Sequence, residues 1–99
     1  MLVRGVVAVL HYRRDMSSVR DCVYILQSES DPGRFYTGIT SDPVARLSAH
    51  NSGLSCHTAT GRPWRMTVHV QFADANRAAE FEAYLKSGSG RAFARRHFR

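Results

Sequence analysis

Lysine is almost missing from this sequence of 99 residues. Lys86 stands alone, and the other 13 of its 14 cations are Arg. Acid is scarce too, with 8 carboxylates, so the formal net charge is +6. Guanidinium groups are planar forks that match phosphate, so a phosphate-rich partner is expected. Arginine bias from a GC-rich coding sequence explains the same count and stays open at this point. Cysteine is limited to Cys22 and Cys56, with no CxxC and no His/Cys cluster. That excludes zinc-type ligand spacing and a disulfide framework, and it suits a reducing compartment. Long apolar runs are absent as well. The longest near the start is Val6 to Leu10, far short of the roughly 20 residues a bilayer span needs. His11, Tyr12, Arg13, Arg14 and Asp15 follow it, where a secretory signal needs small residues. The expectation is a soluble, cytoplasmic protein with no membrane partner.

What is present suffices for one domain with one modest core. Hydrophobic residues make up 43% and charged residues 22%, which excludes a disordered chain. Residues 1–20 read as an N-terminal extension, and residues 21–99 as the domain itself. Cys22 to Ser28 has the Val, Tyr and Ile content of a strand. Both of its alternating sets are largely apolar, which places it centrally. Ser30-Asp-Pro-Gly33 is a turn, and Phe35 to Thr40 returns as the second strand of a hairpin. Asp42-Pro43 opens a helix that runs to about Asn51, with Val44 and Leu47 toward the core. Ser52 to Arg65 reads as a polar loop, and Met66, Val68, Val70 and Phe72 as one face of a third strand. Asp74 caps a helix through about Ser87, with Ala75, Ala78, Ala79, Phe81 and Leu85 in one apolar arc. Ser87-Gly-Ser-Gly90 ends it, and Arg91 to Phe98 forms a last short helix. Strand, strand, helix, strand, helix, helix is an α+β order: a three-stranded antiparallel sheet flanked by helices.

A few residues do not fit a purely structural account. Glu82 falls inside the apolar arc, and a carboxylate there needs a partner, a hydrogen bond or a metal. A surface pair with Lys86, four residues on, would explain it with no function. Tyr24 and Tyr36 are even members of their alternations and share a face. Cross-strand packing alone accounts for that. Gly38 weakens its strand and marks a close approach of backbone or substrate. Arg46 and His50 lie one helical turn apart as a cationic pair, which as a pattern is usually a solvated face.

Together these features resemble GIY-YIG nucleases. Val23-Tyr24-Ile25-Leu26 and Tyr36-Thr37-Gly38 stand where that family has its paired motifs. Arg46 is ten residues after the second tyrosine, where the family carries a helix arginine. His50 matches its tyrosine or histidine one turn later, Glu82 its metal-binding glutamate, and Lys86 a basic residue after it. The likeness covers about Asp21 to Phe98 and is nearest to small standalone members related to the nuclease domain of the repair protein UvrC. Val23 replaces a small residue and Thr37 an isoleucine. Some members carry an active-site lysine near Ile39 and Thr40 and an asparagine late in the chain. This sequence has neither.

The resemblance implies a GIY-YIG fold and a DNA endonuclease working in repair or processing with one divalent metal, Mg²⁺ or Mn²⁺. Glu82 would hold the metal. Tyr24, Tyr36, Arg46 and His50 would serve water activation, phosphate clamping and proton transfer. Arg62, Arg65, Lys86, Arg91, Arg95 and Arg96 would grip the backbone of branched, nicked or single-stranded DNA, with Gly38 giving clearance. Trp64, beside Arg62 and Arg65, is either a base-stacking residue or core, and core is the stronger reading. A monomer or weak dimer is expected. The competing class is a nucleic-acid-binding module without catalysis.

Overall fold

The computed structural model describes residues 19–99, so the N-terminal extension falls almost wholly outside it. The chain runs β1 (Cys22–Ser28), β2 (Phe35–Thr40), α1 (Pro43–Asn51), β3 (Trp64–Gln71), α2 (Ala75–Leu85) and α3 (Gly88–His97). A short 3₁₀ turn at Ala59–Gly61 precedes β3. The sheet is antiparallel in the order β2-β1-β3, so β1 is central, as its two apolar faces require. This is the expected α+β architecture.

The two faces of β1 build two cores. Val23 and Ile25 pack with Ala78, Leu85 and Ala94 from α2 and α3, with Phe35, Ile39, Val68, Phe72, Phe81, Phe93 and Phe98 around them. Tyr24 and Leu26 pack on the other face with Trp64, and Tyr36, Leu47 and Met66 border them. Helix α1 therefore lies on one side of the sheet, and α2 with α3 on the other.

The helix starts follow their caps. The Asp42 side chain accepts from the Ala45 amide, and Pro43 takes the first helical position. Asp74 accepts from Asn76, and Ser87 from Gly90. In the hairpin, Ser28 donates from its backbone to the Arg34 carbonyl at 3.0 Å. Its buried hydroxyl donates to the Gly61 carbonyl at 2.7 Å and ties the turn to the far loop.

Four local expectations are corrected. Val44 is 79% exposed, and Leu47 alone carries the apolar contact of that pair. Ala79 is exposed on α2. Strand β3 starts at Trp64 and carries a bulge: Ile25 pairs with Val68, while Leu26 pairs with Met66. Thr67 is the extra residue, so Met66 and Val68 join opposite cores instead of one face. Gly88-Ser-Gly90 does not end α2 but forms the first turn of α3. Ser87 is a strong N-cap, and Gly90 lets α3 start hard against the last turn of α2. A Cβ at Gly90 would run into the Tyr84 carbonyl, whereas one at Gly88 would meet nothing within 4 Å.

Gly90→Ala is accordingly expected to cost about 1–3 kcal/mol by overpacking against backbone. Gly88→Ala, in open space, should be neutral or stabilising by a few tenths of a kcal/mol, roughly the scale of helix propensity. Chemical denaturation of the two variants checks this, and equal stabilities would refute the close packing of α3 on α2.

Candidate active site

Strand pairing puts Tyr24 opposite Gly38 and Tyr36 opposite Leu26, so both phenols project from the face that α1 covers. Their ring centroids are 6.2 Å apart. A Cβ on Gly38 would stand 2.5 Å from the Tyr24 hydroxyl oxygen. Gly38 is itself buried. The clearance expected there for substrate is filled by the Tyr24 ring, so Gly38 acts by seating the tyrosine.

Helix α1 lays Arg46 and His50 over these rings. His50 is fully buried, with its ring centroid 4.9 Å from that of Tyr36. Its Nε2 is 2.9 Å from the Tyr24 hydroxyl, and its Nδ1 is 2.7 Å from Thr58 Oγ1. The solvated cationic pair is therefore corrected. Arg46 is half-buried and engages both phenols, chiefly Tyr24, which raises its pKa further and holds it charged. Burial, and secondly Arg46, push the His50 pKa below its usual value, so the imidazole is neutral at pH 7.

Donor balance then sets the protons. The Thr58 hydroxyl donates to the Ser55 carbonyl and so accepts at its oxygen from the neutral imidazole, which leaves His50 Nε2 to accept the Tyr24 proton. Nδ1–H donates to Thr58, whose hydroxyl has the Ser55 carbonyl as its onward acceptor at 3.4 Å. Burial raises the Tyr24 pKa, with Arg46 opposing and Tyr36 and Glu82 adding to the rise. The neutral phenol is thus the resting form, and a base is already in contact with it.

Thr58 is a member of this cluster that sequence reasoning missed. It sits in what reads as a polar loop, with no periodicity to single it out. Trp64 holds it there, because the indole Nε1 donates to the Thr58 carbonyl at 2.7 Å. Asn51 fastens Trp64 in turn: its amide donates to the Trp64 carbonyl at 2.9 Å and its carbonyl accepts from the Trp64 amide at 2.6 Å. Trp64 is 3% exposed, so it is core and not a base-stacking surface.

Two phenols, a guanidinium and a neutral imidazole thus form one cluster between β1, β2 and α1. The sequence pattern of the GIY-YIG catalytic domain matches residues 20–96. The chain belongs to the GIY-YIG family. It is 40% identical over 70 residues to the structure-specific endonuclease subunit SLX1 of Meyerozyma guilliermondii, covering 65% of this chain and 24% of that protein. It is also 43% identical over 67 residues to SLX1 of Scheffersomyces stipitis, covering 61% of this chain and 20% of that protein. This chain therefore spans about a quarter or less of the SLX1 proteins it matches. Against the UPF0213 protein ORF82 of Orgyia pseudotsugata multicapsid polyhedrosis virus it is 35% identical over 74 residues, 73% of this chain and 69% of that protein.

GIY-YIG nucleases are generally divalent-metal dependent, and the donor set here suits a hard cation that keeps most of its waters. Glu82 stands on α2, near enough for its charge to be felt at Tyr24. It makes no contact with the tyrosines, and its carboxylate is 2.8 Å from Lys86 Nζ. Among the described residues no group of three or more His, Cys, Asp or Glu could cage a metal. One carboxylate plus waters and phosphate oxygens is how Mg²⁺ is usually held.

The six expected phosphate-gripping cations divide. Arg62 donates Nε–H to the Ala59 carbonyl, and Arg65 donates to the Gln27 side chain at 2.8 Å. Both have local structural work near the β1–β3 end. Lys86 and Arg91 line a cleft beside β2, and Arg95 and Arg96 are exposed on α3.

The neutral His50 has a measurable consequence. In the unfolded chain the imidazole titrates near 6.5, and in the folded chain lower. Between these values the unfolded state binds the extra proton, so stability is full above about 6.5 and falls as pH drops through that window. Urea midpoints at pH 7.5 and 5.5 should show the loss, and a His50→Gln variant should show a smaller one. Equal pH dependence in the two proteins would contradict a buried, neutral His50. Thr58→Ala strands Nδ1–H and should cost about 1–3 kcal/mol by the same measurement.

Proposed function

We propose that this domain is a structure-selective DNA endonuclease that hydrolyses one phosphodiester bond with help from a single divalent cation, Mg²⁺ or Mn²⁺. The observation that carries the reading is the Tyr24–His50 contact: a neutral base already hydrogen-bonded to a phenol, next to a charged guanidinium.

Each residue has a distinct task. Arg46 and Tyr36 are the half-buried members of the cluster, so they meet the phosphate first. As the guanidinium turns to the phosphate oxygens it uncovers the Tyr24 oxygen, which orients the attacking water. The water gives its proton to the Tyr24 oxygen as Tyr24 passes its own to His50 Nε2, and Thr58 holds the ring in the tautomer that can accept it. Glu82 would hold the metal, which supplies charge stabilisation at the scissile phosphate and the leaving oxygen. Lys86 competes for that carboxylate and keeps it partnered in the free protein.

SLX1 proteins carry the words structure-specific endonuclease in their names, and this domain matches 24% and 20% of the length of two of them. Branched, nicked or single-stranded DNA is therefore the substrate class we favour, with repair or processing as its setting. A domain this small has little surface for base readout, so phosphate contacts dominate its grip. We read it as a monomer or weak dimer. Among the described residues no helix is long and apolar enough to cross a membrane.

Purified protein should cut flap, nicked or single-stranded DNA in Mg²⁺ or Mn²⁺, and chelation should stop it. Tyr24→Phe and Glu82→Ala should each lower the rate by roughly 10²-fold or more while leaving DNA binding measurable. Binding without cutting under either metal would favour the non-catalytic module instead. Affinity should also fall steeply from 50 to 200 mM salt, since several phosphate contacts release counterions. A flat salt response would refute the electrostatic grip.

A further inference from the structure

Beside the phenol cluster, and bordered by Tyr36, lies a cleft of about 220 Å³, walled by β2 and the α2–α3 junction. Its polar lining is Tyr36, Thr37, Lys86, Arg91 and Arg99. Neither Thr37 nor Arg99 stands out in the sequence as a binding residue. We propose that this cleft is a second phosphate site, which takes a non-scissile phosphate of the same nucleic-acid strand, close to the bond being cut. The inference rests on the endonuclease reading and extends it.

Size comes first. Pockets for nucleoside- or drug-sized ligands run to roughly 300–1,000 Å³, so this one suits a small group. Charge comes second. The lining holds three cations and no acid. Glu82 engages Lys86, but no salt bridge among the described residues involves Arg91 or Arg99. Burial lowers the Arg99 pKa, and the neighbouring Arg95 and Arg91 lower it further, so positive charge is crowded around Arg99. Arginine forks that crowd one another match a tetrahedral oxyanion, which accepts from several at once.

The cleft is also built. Arg99 lies over the Phe35 ring with Cζ 4.5 Å from its centroid, which holds the guanidinium at the rim. Thr37 follows Tyr36 on β2, and successive strand residues point to opposite faces. The Tyr36 ring therefore lies in the phenol cluster while the residue also borders the cleft, and Thr37 faces the cleft. β2 is an edge strand, so a nucleic-acid strand draped across it meets both. Lys86 links the two sites, since it lines the cleft and pairs with Glu82.

The test is a binding series without divalent metal, so that nothing is cut. Anisotropy is measured on labelled DNA strands in which each phosphate in turn is replaced by a neutral methylphosphonate. Wild-type protein should lose about tenfold in affinity at one position apart from the cleavage site, the scale of a charge-assisted hydrogen bond. Arg99→Ala should lose about as much on the unmodified strand and nothing more at that position. An Arg99→Ala variant that binds like wild type would overturn the proposal. So would one in which every methylphosphonate effect persists, since that is only a general loss of charge. Inorganic phosphate that shifts the Thr37 and Arg91 amide resonances, with no Arg99-coupled position on DNA, would make the cleft a free-anion site and overturn the strand assignment. Cleavage is assayed separately. An Arg99-coupled position in a protein that cuts no substrate would sink the endonuclease reading and leave the cleft as a phosphate site.

Discussion

The structure turns on a buried chain of hydrogen bonds from Tyr24 through His50 to Thr58. Three polar side chains are taken almost wholly out of water: Tyr24 at 1% exposure, His50 at 0% and Thr58 at 1%. Each would cost several kcal/mol unpaired, and together they cost little because each donates to or accepts from the next. The arrangement demands much from its surroundings. Gly38 must lack a side chain for the Tyr24 ring to fit. Helix α1 must start at Asp42 to bring His50 over the sheet. Trp64 must be anchored by Asn51 so that its indole holds Thr58. The polar chain thus couples one strand, one helix and one irregular loop, and no apolar contact could set their relative positions as narrowly.

The two sides of the sheet have different physical characters. The α1 side joins Leu26, Leu47 and Met66 to polar groups that can move protons. The α2–α3 side is a conventional aromatic core, with Phe81 edge-on to Phe93 and Phe98. The bulge at Thr67 allows both, because it lets one strand send Met66 to the first side and Val68 to the second. Charge sits at the β2 edge, where the two sides meet. Glu82, Lys86, Arg91 and Arg99 all approach it from the helical side.

Much of the fold is legible in the residues themselves. The bounds of β1 and β2 follow from composition and turn chemistry, and the start of α1 follows from Asp42-Pro43, because these are local rules. The start of α3 was not legible, since Gly88-Ser-Gly90 resembles a helix end until Ser87 acts as a cap and Tyr84 crowds Gly90. The β3 alternation failed for a similar reason. A bulge arises from pairing with β1, and the strand alone carries no sign of it.

The sequence alone determined the order of elements, the family and the set of residue types: two tyrosines, an arginine, a histidine and a glutamate at telling intervals. Those are properties of spacing along a chain. Only the tertiary structure decided what state each group is in. It made His50 a buried neutral acceptor in place of a surface cation, turned Gly38 from a substrate opening into a seat for Tyr24, and drew Thr58 out of a featureless loop. It also gathered Thr37, Arg91 and Arg99 into one cleft. Burial and hydrogen-bond partners set pKa and protonation, and both depend on which distant residues meet. No periodicity along a single segment encodes that.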